Sequence, residues 1–374
     1  MPRNGIPAGL LSILLCWNAI SGAIANAQPP APFFDPWRPP LVPGQVIRIG
    51  PVAGTGTATA DYGVGATDLC EFMEFPIGIL QICGDSFAGQ GVGYGPWRSP
   101  VALHVEDDSL DDPAGVRYDR VTGFDRPLLA DPTPPGMSQL PAGVVQINRE
   151  NYLMVTTVRD LVPQTSRLVK ADAAQGGWQT VPNSQRDASY ADGRQSQISG
   201  YYDPIPTAES SSGWVYIVAD NFDRSGPLVL YRVAPQKFTD RGSWQGWSPS
   251  GWGTEPTPLW PDKIGEMSIR QIDGKTVLSY FNASTGNMEM RVADDPTGLG
   301  AAPVTTVVVA GEWPEPAEQL GPPWDNRLAQ PYGGYLSPAS TLDEVRVFIS
   351  QWNTGPRGGT PYRVIQYAVN PFKP

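Results

Sequence analysis

The chain has 374 residues, with 26 Lys and Arg set against 37 Asp and Glu, a formal charge of −11 and 12 tryptophans. No basic stripe is visible, which argues against nucleic acid as a partner, because phosphate binding depends on clustered Lys and Arg. His104 is the only histidine, so a histidine-rich zinc site is excluded and any Ser-His-Asp arrangement would depend on that one residue.

Residues 1–27 read as an export signal: Arg3, an apolar stretch from Leu10 to Ile24, and the small-x-small site Ala25-Asn26-Ala27. The mature protein is expected to begin at Gln28, to span no membrane, and to be secreted or held at the cell envelope as a monomer. Residues 28–46 carry seven prolines and read as an extended N-terminal arm. Residues 47–374 are expected to form one large β domain.

The first strands of that domain carry Asp68 in Ala-Thr-Asp-Leu-Cys and Asp85 in Cys-Gly-Asp-Ser-Phe. Glycosidic hydrolysis needs two carboxyl groups, one to protonate the leaving oxygen and one to activate water or attack the anomeric carbon. Cys70 follows Asp68 by two residues, and Cys83 precedes Asp85 by two. After signal removal these are the two cysteines left, and an oxidising compartment favours a disulfide between them over two buried thiols. Such a bond would fix the spacing of the carboxyl groups. Gly89 to Gly95 is glycine-rich, lacks the lysine of a phosphate loop, and reads as a flexible rim. Trp97-Arg98-Ser99 follows it, offering an indole face for a sugar ring and a guanidinium for hydroxyl oxygens. The acidic run Asp107, Asp108, Asp111 and Asp112 reads as a solvated loop rather than a calcium site.

Strand alternation then repeats. Val144–Ile147, Tyr152–Thr157 and Ser166–Lys170 form a second copy, while Gln197–Asp203, Gly213–Ala219 and Leu228–Val233 form a third. In the fourth copy Met267–Ile272 and Thr276–Phe281 flank Asp273-Gly274, a strong hairpin signal. Tyr332–Ser337, Val345–Ser350 and Tyr362–Tyr367 form the fifth. Recurrence of one meander predicts an all-β five-bladed β-propeller, since a lone blade cannot bury both faces; a sandwich or jelly roll is the rival. On a propeller, Glu266, Asp203 and Tyr332 hold comparable places on the leading strands and are candidate substrate-binding residues beside the catalytic pair.

Thr67-Asp68-Leu69, Gly84-Asp85-Ser86-Phe87, Trp97-Arg98-Ser99-Pro100 and Pro331-Tyr332-Gly333-Gly334-Tyr335 together resemble a secreted domain first described as domain of unknown function 4185. That group is now classed as glycoside hydrolase family 183, the endo-D-arabinanases. The resemblance implies a five-bladed propeller and endo-hydrolysis of α-linked D-arabinofuranose in arabinogalactan and lipoarabinomannan. It also implies catalysis by Asp68 and Asp85. No cofactor or metal is expected. Ser86 stands where the family commonly has Thr, and Cys70 where it has Gly. An inverting mechanism is expected by analogy with related furanosidases. The alternatives are a non-catalytic carbohydrate-binding propeller and an exo-arabinofuranosidase on the same scaffold.

Overall fold

The computed structural model describes residues 39–171, 175–355 and 358–372. The expected signal segment and most of the proline-rich arm lie outside the described residues. No helix among the described residues is long and apolar enough to cross a membrane.

The chain is all-β, and its described strands form four hydrogen-bonded sheets, the ten-stranded one joining two antiparallel meanders through a parallel pairing of 138–147 with 197–203, so that five meanders can be traced in chain order. The first contains Ala66–Phe75, Gly78–Phe87, Val101–Val105 and Tyr118–Thr122. The second contains Ser138–Ile147, Glu150–Arg159 and Val162–Ala171. Gln197–Asp203, Trp214–Asp220, Val229–Val233 and Gln245–Ser248 form the third. Ile264–Ile272, Lys275–Asn282, Asn287–Ala293 and Val304–Gly311 form the fourth. The fifth runs through Pro331–Leu336, Val345–Trp352 and Tyr362–Val369.

Its outer strand is Val46–Gly54, which pairs antiparallel with Tyr362–Val369. The N-terminal end of the domain therefore completes the sheet that the C-terminal end begins. The arm assigned to residues 28–46 thus ends in structure. Leu41 is buried against Ile49 and Ala368, Gly44 N–H donates to Asn370 O at 3.0 Å, and Val46 already belongs to the strand.

The leading strands touch in a closed cycle. Strand 66–75 contacts 138–147, which contacts 197–203, then 264–272, then 331–336, and the last returns to 66–75. Meanders stacked in this way bury both faces of their middle strands, and Val101–Val105 is buried at every position. The Asp273-Gly274 turn takes left-handed φ at both residues (47° and 77°), the geometry a tight hairpin with right-handed strand twist requires.

The glycine-rich segment is docked rather than loose. Val92 N–H donates to Gly359 O at 2.8 Å, and a Cβ on Gly91 would lie 2.3 Å from Thr360 Oγ1 and 2.7 Å from Gly359 O. At the other end of strand 78–87, Arg117 pairs with Glu106 (2.8 Å), Asp108 (3.0 Å) and Asp112. Two carboxylates of the acidic run, Asp108 and Asp112, thus meet a cation supplied by the chain, while Asp107 and Asp111 are exposed. Among the described residues, no group of three or more His, Cys, Asp or Glu is arranged to hold a metal ion.

Candidate active site

Asp68 lies in an irregular stretch of strand 66–75. Thr67 pairs with Ser86 and Leu69 with Cys83, with register shifts on both sides of Leu69. Leu69 and Cys70 both take left-handed φ (61° and 74°), a region that bulky L residues rarely adopt. Such a bulge bends the strand and re-aims a side chain. The Cys70–Cys83 disulfide is formed directly below it, tying together the two strands that carry Asp68 and Asp85. Gly84 completes the arrangement, because a Cβ there would lie 2.4 Å from Asp68 Oδ1.

Asp68 and Asp85 line one cavity of about 660 Å³, together with Asp223, Arg224 and Glu266 and an aromatic wall of Phe87, Phe222, Phe281, Tyr332, Trp352 and Tyr362. The first residues of the leading strands converge here.

Tyr332 Oη donates to Asp68 Oδ2 at 2.9 Å, and the Tyr362 hydroxyl also acts on this carboxyl. Oδ1 is buried and unpartnered. Burial, aided by the charge of Asp85, raises the Asp68 carboxyl to about 8 against the opposing pull of the two tyrosine hydroxyls. Burial also pushes both hydroxyls well above the ordinary phenol range, so they remain donors. Asp85 is partly exposed and is raised by burial, against a hydrogen bond from Trp97. That bond runs from Trp97 Nε1 to Asp85 Oδ1 at 2.8 Å.

Glu266 Oε1 accepts from Arg224 Nη2 at 2.5 Å and Nε at 3.2 Å. The Arg224 guanidinium stands over the rings of Phe281 (4.9 Å) and Tyr332 (5.4 Å). Its backbone is left-handed as well, at φ 60°. Strained residues of this kind persist where surrounding structure holds them, often at functional sites.

Asp68, Asp85, Glu266 and Tyr332 thus share the cavity, whereas the other anticipated residues do not line it. Trp97 packs against the core, and its Nε1–H donates to Asp85 Oδ1. Arg98 is exposed and donates to the Phe124 and Trp97 carbonyls (2.9 and 2.8 Å). Ser99 Oγ donates to Gln139 O at 3.0 Å.

Asp203 is at the wrong end of its strand. Its Oδ1 accepts from Ile205 N–H at 3.0 Å, and the preceding Tyr201 and Tyr202 line a second cavity of about 420 Å³. This opposite mouth collects the later residues of the leading strands. It contains Glu71, raised to about 8 chiefly by burial, and the Arg270–Glu74 ion pair at 2.8 Å. Because the leading strands run in one direction, the position in the third meander that corresponds to Asp68 is near Gln197.

Sequence reasoning missed Arg224, Tyr362 and Trp352. Arg224 sits in the Asn221-Phe222-Asp223-Arg224 turn, and Tyr362 opens a strand read only for its alternation.

A cycle of β meanders with a carboxylate-centred, aromatic-walled cavity at one mouth defines the class of protein. Solved structures share this fold, among them a Bacteroides ovatus ATCC 8483 protein (TM-score 0.53, 13% identity, covering 82% of this chain and 86% of that one). Another is the E208A variant of an exo-beta-1,3-galactanase from Phanerochaete chrysosporium with beta-1,3-galactotriose (TM-score 0.51, 9% identity, 86% of this chain and 64% of that one). The chain belongs to the family described as domain of unknown function DUF4185, whose model matches residues 53–368. It is 76% identical over 331 residues to an uncharacterized 35.9 kDa protein in the asd 3' region of Mycolicibacterium smegmatis, covering 88% of this chain and 99% of that protein. It is also 31% identical over 158 residues to Notoamide biosynthesis cluster protein J' of Aspergillus versicolor, covering 40% of each.

Proposed function

We propose that this protein is a secreted glycoside hydrolase, built as a five-bladed propeller, that cuts internal α-D-arabinofuranosyl bonds of cell-envelope arabinan. The observation that carries the reading is the pairing of two unlike carboxyl groups in one cavity. Asp68 is 9% exposed and raised to about 8, so near neutrality it holds the proton a general acid needs. Asp85 is more open to solvent and is oriented by Trp97. In this reading Asp68 protonates the leaving oxygen, and Asp85 acts on the water that attacks the anomeric carbon, through an oxocarbenium-like transition state. Arg224 and the aromatic wall hold the sugar by hydroxyl and C–H contacts.

The fold shared with a galactanase supports the glycosidase class, and the DUF4185 membership supports the arabinan substrate through the resemblance set out above. The closed cycle of five leading strands supports the blade count.

Incubating the purified protein with arabinogalactan and sizing the products tests the reading. Oligosaccharide ladders are the expected outcome. Release of arabinose alone would establish an exo enzyme, and retained binding without release would establish a carbohydrate-binding propeller.

A further inference from the structure

Four oxygen atoms near the Arg224–Glu266 pair lack a hydrogen-bond donor: both carboxylate oxygens of Asp220, Oε2 of Glu266 and Oε1 of Gln197. Asp220 and Gln197 are 0% and 3% exposed, so bulk water does not serve them. Asp220 ends strand Trp214–Asp220 and stands directly opposite Gln197 in antiparallel register, which places the two side chains on one face of the pair. Glu266 comes from the neighbouring leading strand, 264–272, which contacts 197–203. The charged groups acting on Asp220 are Glu266, most strongly, then Arg224 and Asp223.

Buried acceptors without a donor are unstable, because each loses water without gaining a partner, and the Gln197 amide Nε2 reaches none of these four oxygens. Arg224 does not remedy this: its Nε and Nη2 donate to Glu266 Oε1, and none of its donors, Nη1 included, reaches the four oxygens. A second ionised carboxylate beside Glu266 would add repulsion to that deficit. One proton changes the balance: a neutral carboxylic acid has an O–H donor, so Asp220 becomes a donor to its neighbours. Burial and the Glu266 charge act in the same direction, pushing the Asp220 carboxyl well above its ordinary range.

We propose that Asp220 is a positioning residue that holds a proton in the resting protein and donates it to this acceptor cluster, fixing Glu266 and, through it, Arg224 in the cavity wall. The proton is supplied by solvent as the chain folds, and no bond in the substrate is broken by it. Its part in substrate binding rests on the hydrolase reading above, whereas its protonation does not.

The test has two arms. Infrared difference spectra of the full chain against Asp220→Asn at neutral pH should show a protonated-carboxyl C=O band present in the parent and absent from the variant. Loss of carboxylate stretches alone would mean that Asp220 is ionised, whether bare or on a cation, and would overturn the proposal. In the second arm, Asp220→Leu should raise KM for arabinan about tenfold with a smaller change in kcat, and Asp220→Asn should recover most of that loss by restoring a donor. A properly folded Asp220→Leu protein with unchanged KM would remove the positioning role. If Asp220→Leu does not fold, the Asn comparison still decides the protonation. If the parent protein cleaves no arabinan, the hydrolase reading falls while the infrared arm stands.

Discussion

Tyr332 and Asp68 are 264 positions apart in the chain, yet the phenol donates to the carboxyl at 2.9 Å inside the cavity. Because this bond favours the charged form of Asp68, it holds the carboxyl below the value that burial and Asp85 alone would impose. Tyr332→Phe removes the donor at nearly constant shape. The expected result is a further rise of the Asp68 carboxyl, read as an alkaline limb of the pH–rate profile displaced to higher pH. An unmoved limb would take Asp68 out of the general-acid role.

Asp68→Asn should abolish turnover, with a loss of about 10²- to 10⁴-fold, the usual contribution of a positioned acid or base. Asp85→Asn should do the same by removing the base. Product release assays with matched folding controls check both changes.

The Asp68 carboxyl is raised on folding from 3.8 to about 8, which makes stability depend on pH. Below pH 3.8 the carboxyl is protonated in both the folded and the unfolded chain. As pH rises toward 8, the unfolded chain releases this proton while the folded one keeps it, so stability declines through that window. Asp68→Asn escapes this penalty. The variant should therefore melt higher than the parent at pH 8, by about 2 kcal/mol or more in stability, and show no such advantage near pH 4. Melting curves at the two pH values decide it.

Trp97→Phe distinguishes an orienting indole from a sugar platform. Loss of the Nε1–H bond to Asp85 should lower kcat about tenfold with little change in KM, the pattern of an interaction that matters to the reaction more than to binding. A rise in KM alone would restore the platform role.

Gly84→Ala places a methyl group 2.4 Å from Asp68 Oδ1 and 3.0 Å from Leu69 Cδ1. The Asp68 carboxyl must then shift, and overpacking of this kind costs about 1–3 kcal/mol. Activity should fall far more than stability does, because small displacements of a reacting group cost about 10²-fold. Breaking the Cys70–Cys83 bond by a double Cys→Ser change should cost about 2–4 kcal/mol in chemical denaturation and loosen the same pair of carboxyl groups.

Local order was legible from residue spacing. The apolar-polar alternation, the Asp273-Gly274 turn and the flanking of Asp68 and Asp85 by two cysteines all depend on neighbours within one hairpin, where strand period and turn chemistry act directly. That the two aspartates stand together was legible because their relation is a hairpin relation. Only the tertiary structure decided what surrounds them. Tyr332, Tyr362, Glu266 and Arg224 reach Asp68 and its cavity from three other meanders, and no spacing rule along the chain encodes their convergence. The direction of the leading strands sent Asp203 to the opposite mouth. Pairing of Val46–Gly54 with the last strand likewise depends on ring closure, because an exposed sheet edge is satisfied by whichever strand the completed cycle brings beside it.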